Sequence, residues 1–262
     1  MSNAVMPIQD CVNACKKIRE ITGLADAIKS GELSDKVTEV YEKGKQDYNE
    51  EFWRRFFYGG KRGNVDYMFA WCDFTGYTIP NNYGKISSEV SNIQRMFRNY
   101  KGTEVPKGLD LSNISPTAFT QNMFSDTSLV TLPDIGLPAM NAYGDSFSYS
   151  QRLVTIEVLR CTEETTFSSS VFNNTKSLKN ITIEGVIGRS IKFQHSPLTV
   201  ESMKSIISAL KNYTDTDSEG TYTLTLIDTC KTALQEDTET VELDGVSYTY
   251  FELITAKGWN LA

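Results

Sequence analysis

A phenylalanine followed five or six residues later by a leucine, with a second aliphatic residue three positions on, recurs along this chain. Recurrence at a fixed period restricts the possible folds more than any single motif does. The clearest copies are Ser128-Leu-Val-Thr-Leu-Pro, Arg152-Leu-Val-Thr-Ile-Glu and Ser177-Leu-Lys-Asn-Ile-Thr. They carry the pairs Leu129/Leu132, Leu153/Ile156 and Leu178/Ile181, preceded by Phe124, Phe147 and Phe172. Two weaker copies lie upstream, where Phe97 precedes Thr103-Glu-Val-Pro and Phe69 precedes Gly76-Tyr-Thr-Ile-Pro. Strand centres then fall at Ile79, Val105, Leu132, Ile156 and Ile181, with spacings of 26, 27, 24 and 25 residues. Those spacings suit leucine-rich repeats. The strands of a β-sandwich would instead recur every ~8–12 residues with tight hairpin signals.

One such unit cannot bury its own apolar edge, but stacked units share a core. The expected fold is therefore α+β in three parts. Residues 1–62 form an N-terminal helical anchoring or capping segment, 63–197 a leucine-rich-repeat β-solenoid of about five repeats, and 198–262 a C-terminal α/β cap. Phe97, Phe124, Phe147 and Phe172 are expected to stack as an internal ladder. In the N-terminal segment, Ile8, Cys11, Val12, Cys15, Ile18 and Ile21 form one helical stripe. Val37, Val40, Tyr41, Tyr48, Phe52 and Phe56 form a second. In the C-terminal part, Thr199 reads as an N-cap ahead of Val200, Met203, Ile206, Ile207 and Leu210. Tyr222–Leu226 reads as a strand, Tyr250–Lys257 as a helix ended by Gly258, and Trp259–Ala262 as a last short strand.

The residues that carry chemistry are sparse. His195 is the one histidine and reads as structural. Cys11 and Cys15 share a helix face, but a structural zinc needs four ligands and no second Cys/His pair exists. Gly59-Gly60-Lys61-Arg62-Gly63 lacks the P-loop pattern and reads as a turn. The acidic pairs Glu163/Glu164 and Asp215/Asp217 have no evident partner across a cleft, as glycosidase chemistry requires. No catalytic, cofactor-binding or metal-ligating residue is assigned, and no cofactor is expected. A net charge of −7 argues against a nucleic-acid partner. No apolar run approaches a membrane span, and Met1–Pro7 has neither part of a signal peptide. Five scattered cysteines fit a reducing cytoplasm.

The repeats, with Phe-x5-Leu and a following Val-Thr-Ile or Ile-Thr-Ile, resemble bacterial BspA-like leucine-rich repeats. Ile8-Gln-Asp-Cys, Lys17-Ile-Arg-Glu-Ile-Thr-Gly and Ile28-Lys-Ser-Gly-Glu-Leu-Ser-Asp-Lys-Val are similar to the start of phage and prophage tail-region proteins of Firmicutes. Glu51-Phe-Trp, Ile183-Glu-Gly-Val-Ile-Gly, Ser196-Pro-Leu-Thr-Val-Glu-Ser-Met and Lys257-Gly-Trp-Asn extend that likeness over nearly the whole chain. The resemblance implies a non-enzymatic virion protein of the tail or baseplate, structural or host-recognising, made in the bacterial cytoplasm. Its expected partners are other virion proteins through the N-terminal helices, a host surface protein or glycan, and a second copy of itself. Membrane insertion is not expected. The alternatives are a BspA-like surface adhesin and a tail-associated glycan hydrolase with cryptic carboxylates.

Overall fold

The computed structural model describes residues 64–79, 84–214 and 220–262. The expected N-terminal helices, Cys11/Cys15, Gly59–Gly63 and Asp215/Asp217 lie outside those residues.

The local unit is a turn centred on phenylalanine that is neither strand nor helix. Val65, Tyr67, Phe69 and Trp71 each donate a backbone N–H forward, to the carbonyls of Asn92, Gln94, Met96 and Arg98, at 2.8–3.3 Å. The residues between them, Met68, Ala70 and Cys72, bond back three positions to Val65, Tyr67 and Phe69. This alternation satisfies the backbone without a regular ladder. It repeats as Ile93, Arg95, Phe97 and Asn99 donate to Phe119, Gln121, Met123 and Ser125. Phe124 and Asp126 continue it to Ser146 and Ser148, and Phe147 and Tyr149 to Val171 and Asn173.

Each turn places its phenylalanine over the next. Rings 69, 97, 124, 147, 172 and 193 stack with centroids 4.7, 5.3, 5.5, 5.2 and 4.6 Å apart. All six are almost fully buried. The ladder is longer than the one expected from sequence, gaining Phe69 and Phe193 at its ends. Beside it, three residues after each ring, runs a column of mostly hydroxyl-bearing side chains. Tyr100 Oη donates to the Glu104 carbonyl at 2.8 Å and Ser150 Oγ to the Phe124 carbonyl at 2.6 Å. The Thr175 and Ser196 hydroxyls bond each other at 2.7 Å. Buried hydroxyls are thus paired, as a tightly packed interior requires.

Strands are short. A parallel sheet of order β1-β3-β5 joins β1 (Thr131–Leu132), β3 (Thr155–Cys161) and β5 (Asn180–Gly185), with Leu132, Ile156 and Ile181 in one row. β2 (Ala142–Gly144) pairs in parallel with β4 (Thr166–Phe167). β6 (Ile191–Phe193), β7 (Thr223–Leu226) and β10 (Asn260–Leu261) form a second three-stranded parallel sheet, with β7 central. β8 (Thr240–Leu243) and β9 (Val246–Thr249) make an antiparallel hairpin. The three helices of the described residues are α1 (Val200–Ala209), α2 (Asp228–Glu236) and α3 (Tyr250–Ala256).

This corrects the expected fold class. In place of a leucine-rich-repeat solenoid of about five repeats, the described residues form several small, mostly parallel sheets of two or three strands with three short helices. Ile79 and Val105, expected as strand centres, lie in no strand; among the described residues their segments meet at the isolated bridge Thr78↔Lys107. Just past the bridge Gly108 turns away at φ +85°, where an added Cβ would sit 2.8 Å from the Ile79 carbonyl oxygen. Pro133 follows β1 after only two residues.

α1 closes the β1-β3-β5 sheet. Thr199 caps it by accepting the Ser202 N–H at 3.3 Å. Ser202 and Ser205, one turn apart, accept the N–H groups of Ile181 and Ile183, each at 2.9 Å. The outer edge of β5 is therefore bonded by helix side chains rather than by another strand. α3 begins with a capping box between Thr249 and Glu252. Beyond it, Lys257 Nζ donates to the carbonyls of Ile207, Ser208 and Leu210 at 3.0, 2.7 and 2.8 Å, adding a charged donor at the end of α1, where the last carbonyls lack intrahelical partners.

Candidate functional site

Where the turns face outward, backbone conformation singles out a surface. Residues two positions from the ladder rings lie in the left-handed region: Tyr67 and Trp71 around Phe69, Arg95 and Asn99 around Phe97, Asn122 and Asp126 around Phe124. Tyr149 and Asn174 follow Phe147 and Phe172 in the same way. Asparagine and aspartate tolerate this region because their short polar side chains bond locally. For other L-residues it costs roughly 1–2 kcal/mol each. Tyr67, Trp71, Arg95 and Tyr149 hold bulky side chains at that cost.

Trp71 and Tyr149 are 47% and 50% exposed, so burial does not offset the strain. Tyr67 and Trp71 stack at 5.3 Å with 15° between their planes. The Arg95 guanidinium carbon lies 5.1 Å from the Tyr67 ring centroid, and Arg95 Nη1 donates to Asp66 Oδ2 at 3.3 Å. Burial raises the Asp66 carboxyl above its usual range in spite of Arg95. Its Oδ1 is buried without a partner. An under-satisfied carboxylate and three left-handed bulky residues thus meet at one corner, and such outliers cluster at functional sites. Sequence reasoning missed this corner. Its legible signal is that tyrosine, tryptophan and arginine stand around Phe69 and Phe97 where the turn around Phe124 has Asn122 and Asp126.

The residues weighed for chemistry are engaged elsewhere. His195 Nδ1 accepts the Asn174 N–H at 3.4 Å, two residues beyond Phe193, where it terminates the run of outward turns. Glu163 pairs with Lys211 at 2.6 Å and Glu164 with Arg189 at 2.9 Å. Arg160 on β3 bonds both carboxylate oxygens of Asp134, at 2.8 and 2.7 Å, and lies 2.9 Å from Glu184 on β5. Those bonds, with the Gly136 N–H, hold Asp134 down to about 2. Burial pushes the Cys161 thiol up to about 12, which keeps it protonated and inert. Among the described residues no three His, Cys, Asp or Glu side chains are grouped to hold a metal, and no helix is long and apolar enough to cross a membrane.

Comparison with known proteins finds no matching family model, no matching curated protein and no matching solved structure.

Proposed function

We propose that this chain is a non-enzymatic phage virion protein of the tail or baseplate that recognises a host surface molecule. The observation that carries the reading is the corner of left-handed Tyr67, Trp71 and Arg95, with Trp71 exposed and the other two half-buried, on a ladder of stacked rings. Binding residues concentrate on loops held by a rigid scaffold. The virion setting comes from the tail-protein likeness of Ile8–Cys11, Lys17–Gly23 and Ser196–Met203. Residues 1–62 would then attach the chain to other virion proteins, leaving the turns free. A tail-associated hydrolase is less well supported, because Asp134, Glu163 and Glu164 are each tied to a cation. The adhesin reading uses the same surface in a different location.

The test is mass spectrometry and immunogold labelling of particles from an induced lysogen carrying the gene, together with adsorption in the presence of excess purified protein. The chain should sediment with intact particles at the tail and should slow adsorption. Particles free of it would overturn the virion assignment.

A further inference from the structure

We infer that the Asp66–Tyr67–Trp71–Arg95 corner binds a saccharide, deepening the recognition role above and resting on it. The exposed Trp71 indole, backed by the Tyr67 ring stacked on it at 5.3 Å, gives a flat apolar platform with a polar edge. The C–H face of a pyranose ring is the complement of such a platform, and its hydroxyls need donors and acceptors at the rim. Arg95 has five N–H donors and gives one to Asp66, so the rest remain for hydroxyls. Asp66 neutralises the guanidinium and fixes its direction, which suits an uncharged sugar better than an anion.

A protein partner fits this corner less well. A stable protein interface needs ~800 Å² of complementary surface on each side, with an apolar centre. Along the same column, the turns after Trp71 present Asn99 and Asp126 before the next exposed ring at Tyr149. Of the other exposed apolar side chains among the described residues, Phe119 lies in the next turn, bonded to Ser91 and Ile93, while Val186 and Val246 are on distant segments. Along its own column the Trp71 ring is thus flanked by polar residues, which suits a single sugar ring better than a continuous apolar interface.

The experiment titrates the full chain with maltohexaose, cellohexaose, chitohexaose and N-acetyllactosamine oligomers. Binding is followed by tryptophan fluorescence and by saturation-transfer NMR. At least one of these neutral oligosaccharides should bind saturably. Trp71→Ala should weaken that binding at least tenfold, with Trp71→Phe recovering most of it. Tyr149→Ala, at an exposed left-handed position outside the corner, should leave it unchanged, and matched melting curves would establish that the variants are folded. Absence of saturable binding across the panel would overturn the inference, as would binding that survives Trp71→Ala. The two proposals fail separately: a virion protein without sugar binding removes only the saccharide site, and a sugar-binding protein absent from particles removes only the virion setting.

Discussion

Phe147 has a ring on each side, Phe124 at 5.5 Å and Phe172 at 5.2 Å, with near-parallel planes. Cutting it to alanine leaves a hole between two fixed neighbours, and Phe147→Ala should cost about 3–5 kcal/mol. Gln151 is exposed on the turn that follows, and Gln151→Ala should stay within ~0.5 kcal/mol. Urea denaturation of both variants checks the pair, and equal effects would refute the ladder. Lys257 makes a different prediction. Burial pulls its ammonium from 10.5 down to about 8, although three carbonyls accept its protons. Between those two values the unfolded chain holds a proton that the folded chain has released, so stability rises with pH there. Below about 8 both states are protonated and the burial cost is constant. The stability of the wild type relative to Lys257→Met should therefore rise from pH 8 to pH 10.5, as followed by denaturation at each pH. The ladder phenylalanines were legible in the sequence because ring spacing is a direct readout of turn length. Lys257 was not, since its acceptors come from α1, some fifty residues earlier.

At the scale of elements, Thr199, Val200–Ala209, Thr223–Leu226 and Tyr250–Ala256 follow the sequence reading closely, because each carries its own cap or alternation. The β8–β9 hairpin also has a local signal, Asp244-Gly245 with both residues at positive φ. What no local pattern announces is the contact between α1 and β5. Ser202 and Ser205 look like solvent-facing helix residues, yet they accept the amides of Ile181 and Ile183. The double variant Ser202→Ala/Ser205→Ala should leave two strand amides without acceptors and lose roughly 2–4 kcal/mol, at ~1–2 per orphaned group. Hydrogen exchange at Ile181 and Ile183 should quicken with it. Unchanged protection would mean that the helix merely lies near the strand.

For the whole molecule, the period in the sequence sets which residues become neighbours without deciding which of them form a sheet. Leu132, Ile156 and Ile181 share a row in the parallel sheet. Ile79 and Val105 keep the spacing, but Gly108 turns the chain away after a single bridge. The candidate corner was harder still to read, since it is defined by backbone conformation and exposure, which no residue count reveals. The described residues owe their cohesion to stacked rings and paired hydroxyls, and no metal-ligand set appears among them. A strong chelator should therefore leave the melting temperature unchanged; a fall of many degrees would reveal a structural ion. The serines that accept the β5 amides also bear on how such a chain can change length. They lie downstream of every turn of the ring ladder, and paired partners in the central sheet are 24 or 25 residues apart. A duplication or deletion of one such segment upstream would alter the reach of the molecule while the same helix still shuts the last edge. Size can then drift in evolution without each intermediate acquiring a sticky end.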